Sequence, residues 1–141
     1  MMSDDTSKGD LEYRELIIRE LVCAKEDVMK DLVARSKRYL NLLEDGSIYL
    51  TNETRDFSQG DRILLYLIGK WFACQAGLSE RDDAAYAEIS DQLSMPMGTV
   101  KGTTHRLIND CLLQKTDKGA FRVVYGRIDD IINEIEGKVK K

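Results

Sequence analysis

The sequence predicts a mainly helical protein that carries one small β-hairpin and has a helix at either end. Three observations predict it. Apolar residues recur at helical spacing over residues 11–43 and again from Ile63 onward. Ser58, Gly77 and Pro96 punctuate the second half as a cap, a stop and an opener, which divides it into three helices. Asp117-Lys118-Gly119 then separates two short segments, the second alternating apolar and polar residues, in the pattern of a hairpin.

Composition sets the outer bounds. A chain of 141 residues with 43% hydrophobic content can fill one core, and 33% charged residues keep such a core soluble. Cys23, Cys74 and Cys111 are odd in number, far apart and free of CxxC spacing. Each sits among apolar residues, which predicts small hydrophobes in a reducing, cytoplasmic setting and no disulfide framework. The first residues are acidic and lack an apolar run, so no secretory signal is expected, and residues 63–68 are too short a run to cross a bilayer.

Residues 1–9 are polar and expected to fray. Residues 11–43 read as one long amphipathic helix, bent or split, with Leu11, Ile18, Leu32 and Tyr39 on one seam and Leu21, Val28 and Leu42 on its companion. Lys25 and Arg35 interrupt those seams too often for a strict coiled coil. Asp45-Gly46 breaks the helix and residues 47–51 read as a short strand. Ser58 caps the next helix, which is apolar nearly all round and therefore central, and Gly77 ends it. A second helix is expected over residues 83–93. Pro96 opens a third over residues 97–111, with Val100, Thr104, Leu107, Ile108 and Cys111 on its apolar face. The hairpin follows over residues 113–125, and an amphipathic helix bearing Ile128, Ile131, Ile132 and Ile135 closes the chain. Three parts result: residues 1–57, 58–126 and 127–141.

The net charge of −4 hides an asymmetry. Lys101, Arg106, Lys115, Lys118, Arg122 and Arg127 lie within residues 96–127 against Asp110 and Asp117 alone, giving +4 there and −8 elsewhere. Screening limits distant charge to roughly 8 Å at physiological salt, so a basic face on an acidic body can still bind phosphates. On a helical wheel the face opposite Val100 and Leu107 carries Gly98, Gly102, His105 and Asn109, flanked by Thr99, Lys101 and Arg106. Arg106 and Asn109 have the chemistry to pair with guanine and adenine edges, and Lys101 and Thr99 suit phosphate. Lys115, Lys118 and Arg122 would add phosphate contacts from the hairpin.

Helix, helix, short turn, helix, hairpin is the plan of a winged helix-turn-helix. Residues 86–113, YAEISDQLSMPMGTVKGTTHRLINDCLL, resemble MarR-like and related archaeal transcriptional regulators, in which an EIS-x-x-L helix precedes a TV-x-x-x-x-x-x-L recognition helix. Taken over the whole helix-turn-helix and hairpin, residues 58–126, the resemblance covers roughly half the chain. It implies a third helix that enters the major groove and a wing that touches backbone or minor groove. The apolar stripes of both terminal helices, with the analogy to such regulators, predict a homodimer on double-stranded DNA.

Other classes are weaker. His105 is the sole histidine and has no partners at metal or catalytic spacing, so neither an enzyme, a metal nor a cofactor is expected. Trp71 and Phe72 read as core, and a small-molecule effector would need a pocket near them. Glu80-Arg81-Asp82-Asp83 reads as a solvated charge run. The competing class is a winged-helix adaptor that docks a protein without binding DNA.

Overall fold

The structure, a computed structural model, describes residues 2–22 and 25–139, and it divides into two units, residues 1–33 and 34–141. Cys23 lies outside the described residues. In the first unit α1 (Met2–Leu21) includes the polar residues expected to fray. Tyr13, Leu16, Ile17, Ile18 and Leu21 are exposed on it and Val22 just after it, as are Val28 and Val33 of α2 (Lys25–Ser36).

The helical reading of residues 11–43 fails at its end. Helix stops at Ser36, and β1 (Leu40–Leu42) pairs antiparallel with β2 (Ile48–Leu50) across a turn at Asp45-Gly46. Tyr39 and Leu42 sit three apart, a spacing that shares one face of a helix but not of a strand, so local periodicity favours helix here. Pairing with β2 and packing of both strands on the central helix decide the matter.

That central helix is α3 (Gln59–Gln75). Ser58 caps it: the Ser58 hydroxyl accepts from the Asp61 amide at 3.2 Å, satisfying one orphan donor of the first turn. Ile63 through Gly69, Trp71, Phe72 and Ala73 are buried. A helix apolar on every face has to be wrapped, and β1, β2, the three later helices and the later hairpin all pack on it. At its end Gly77 takes φ +75°, the Leu78 amide donates to Ala73 at 2.9 Å and the Gly77 amide to Cys74 at 3.1 Å, which closes the last turn.

Helix α4 (Tyr86–Leu93) starts three residues later than expected, because Asp83 and Ala84 are drawn into other contacts. Ala84 instead forms a β-bridge with Phe121. A left-handed Ser94 ends α4, Pro96 caps α5 (Met97–Asn109), and a left-handed Cys111 follows its last turn. Cys111 is therefore exposed and off the apolar face assigned to it. The hairpin comprises β3 (Leu113–Lys115) and β4 (Phe121–Val123), paired Leu113 with Val123, Gln114 with Arg122 and Lys115 with Phe121. It ends short of residue 125, where Tyr125 opens a helical turn and rests on Trp71 at 5.3 Å between ring centroids.

Finally α6 (Ile128–Val139) buries Ile128, Ile131, Ile132 and Ile135 within the second unit. Its stripe thus needs no second copy, contrary to the expectation that both terminal helices would. Among the described residues, no helix is long and apolar enough to cross a membrane.

Candidate nucleic-acid interface

Helix α5 owes its orientation to one buried edge. Val100, Thr104 and Leu107 are fully or nearly fully enclosed, and they set the helix against α3 and α4. Helix α4 is pinned to α3 in turn. The Tyr66 hydroxyl donates to Glu88 Oε2 at 2.7 Å, and the Lys70 ammonium sits 3.1 Å from the same oxygen. Burial pushes the Tyr66 phenol well above its ordinary range, and donation to Glu88 adds to the shift, so it stays a neutral donor.

The edge that faces away presents Met97, Gly98, Lys101, Gly102, His105, Arg106 and Asn109, all exposed, with Thr99 half-buried. Not one acidic residue occurs in Met97–Asn109, in a chain that holds 25 of them. A Cβ on Gly98 or Gly102 would meet nothing within 4 Å. Neither glycine is demanded by packing inside the chain, although Gly102, inside the helix, weakens it by roughly 1 kcal/mol relative to alanine.

The cations differ in freedom. Lys101 Nζ lies 5.8 Å from the centroid of the Tyr86 ring, a cation–π distance that tethers it loosely to α4. Arg106 is exposed, yet its guanidinium lies against the start of α3, where a Cβ on Gly60 would come within 2.7 Å of Nη2. It therefore does not project freely from that edge. Lys115 and Lys118 are exposed on the hairpin and take part in no ion pair among the described residues. Arg122 is already engaged, with Nη1 3.7 Å from Asp82 Oδ2. Asp110 and Asp117 are the acids at the margins, both exposed.

Within the charge run at residues 80–83, Glu80 and Arg81 are exposed as expected, but Asp83 is not. Asp83 is 8% exposed; its carboxylate accepts from Arg81 at 2.7 and 3.0 Å and from the Thr116 hydroxyl at 2.9 Å. The Arg81 guanidinium holds this carboxyl below its ordinary range, with Thr116 helping and burial opposing. Sequence reasoning missed Asp82, Asp83 and Thr116, since no local pattern announces a partner 33 residues away. Trp71 and Phe72 are buried edge-to-face at 5.3 Å.

Comparison with protein-family models, with curated proteins and with solved structures finds no match to this chain.

Proposed function

We propose that the chain is a cytoplasmic DNA-binding transcriptional regulator of the winged helix-turn-helix kind, with α5 as recognition helix and the β3–β4 hairpin as wing. The observation that carries the reading is the outer edge of α5. It is exposed, acid-free and pared to glycine at two positions where nothing in the chain requires it, and it belongs to the same basic stretch as Lys115 and Lys118. A glycine that costs helix stability without an internal reason fits a surface that must approach an outside body closely. A duplex groove is such a body.

Within this reading His105 and Asn109 face bases, Lys101 and Thr99 face phosphate, and Lys115 and Lys118 hold the flanking backbone. Arg106 contributes after leaving Gly60, and Arg122 after leaving Asp82. The protein acts as a homodimer on two half-sites. The exposed apolar residues of α1 support this; those of α6 do not, since they are covered within their own unit. A monomer in sedimentation at tens of micromolar would remove the dimer.

Retardation of a random-sequence duplex at low salt, followed by selection from a random pool, tests the function. Asn109→Ala should relax base preference at one position, and Lys118→Ala should weaken every sequence alike. The same exposed apolar residues of α1 also suit an adaptor that docks another protein. An adaptor predicts no retardation at any salt, together with loss of partner capture on Ile17→Asp.

A further inference from the structure

Three consecutive residues before α4 each engage the β3–β4 hairpin. Asp82 pairs with Arg122 on β4 at 3.7 Å. The Asp83 carboxylate accepts the Thr116 hydroxyl at the head of the hairpin turn at 2.9 Å. Ala84 and Phe121 exchange two backbone hydrogen bonds, both 2.9 Å. We propose that Asp83 is the positioning residue of this hairpin: held by Arg81, it fixes the seat of the wing beside α5 and so sets how Lys115 and Lys118 meet a nucleic-acid backbone.

Loop closure alone does not account for the arrangement. Arg81 already occupies both oxygens of Asp83 in a two-pronged pair, and that would suffice to satisfy the carboxylate within its own loop. The Thr116 hydroxyl is an addition from across the fold. Its one proton has two acceptors in range, Asp83 Oδ2 at 2.9 Å and Ala120 O at 3.2 Å, and the ionised carboxylate is the stronger. Burial sharpens the effect, because little water reaches the carboxylate, 8% exposed, to compete for the Thr116 proton. Two three-residue strands do not hold their own orientation; packing of Leu113, Phe121 and Val123 on α3 and α5 seats their buried face, and this loop ties down the turn end.

The consequence for DNA rests on the function proposed above, whereas the seat rests on geometry alone, so the experiment reads the two separately. Amide hydrogen exchange comes first: in Asp83→Asn the amides of Ala84 and Phe121 should exchange faster while that of Leu67 in the core stays as in the wild type. Unchanged rates at Ala84 and Phe121 overturn the proposal. Affinity for a short random-sequence duplex at low salt comes second. Asp83→Asn and Thr116→Val should each lose about tenfold, the equivalent of one charge-assisted hydrogen bond, and Thr116→Ser, which keeps the hydroxyl, should bind as the wild type does. In a chain already carrying Lys115→Ala and Lys118→Ala, Asp83→Asn should cost nothing more. An undiminished tenfold loss there, or a Thr116→Ser chain as weak as Thr116→Val, overturns positioning in favour of general stability. Should the wild type retard no duplex, the regulator reading fails, and the exchange rates decide the seat of the hairpin.

Discussion

Ser94 and Cys111 close α4 and α5 in left-handed backbone, at φ +53° and +62°, a conformation that costs an L side chain roughly 1–2 kcal/mol. The bonds behind them show what the strain obtains. The Met95 amide donates to Ser90 at 3.0 Å and the Leu112 amide to Leu107 at 3.0 Å, so each helix turns sharply into the next element with its last carbonyls satisfied. Glycine reaches that backbone without the penalty. Ser94→Gly should therefore raise stability by about 0.5–1 kcal/mol after allowance for its looser unfolded chain, read as a higher urea midpoint. A lower midpoint would mean that the serine side chain matters in its own right. Asp83 gives a second test at this scale. Its pKa is lower folded than unfolded, so its contribution is present above the unfolded value of about 3.9 and is lost as pH falls through the folded one. Wild-type stability should drop on acidification below about pH 4, and Asp83→Asn should show a shallower drop. Equal slopes in acid urea titrations would refute that role.

Helices gave themselves away at their ends and β2, β3 and β4 by alternation and turn residues, whereas β1 did not. Ser58, Gly77 and Pro96 stand at element boundaries because capping and stopping are local acts that leave local residue types behind. The strand at residues 40–42 was illegible for the opposite reason, since it exists through pairing with β2 and packing on α3. The exposed edge of α5 could be read from helical periodicity, whereas the engagement of Arg122 and Arg106 could not, because both meet residues far away in sequence. Arg35 shows the same gap. It reads as a flaw in an apolar seam, yet its guanidinium binds Asp129 at 2.7 Å, Glu136 at 2.7 Å and the Asn133 side chain, thereby docking α6. With Arg35 only 21% exposed, Arg35→Ala should cost about 1–2 kcal/mol and speed amide exchange along α6. If exchange in α6 is unaltered, that helix is held by its isoleucines alone.

At the scale of the whole molecule the charge is divided, +4 over residues 96–127 and −8 elsewhere. A body of one sign with a patch of the other has a defined electrostatic signature: it binds a polyanion only where attraction at the patch outweighs the repulsion from the body that screening leaves. Repulsion from the acidic body acts over distance and fades with salt, while contacts between lysine and phosphate release counterions and weaken with salt. Three lysines per chain, Lys101, Lys115 and Lys118, stand free of ion pairs among the described residues. Three phosphates neutralised by one chain would give a log affinity against log salt slope of about −3, and six neutralised by a homodimer about −5. The slope thereby reports assembly and interface together. A value near −5 that falls by about two in a Lys118→Ala homodimer supports both the wing contact and the paired chains. A slope near zero would mean that whatever binds the exposed edge of α5 is not held through phosphates, and the surface would then have to serve a neutral or apolar partner.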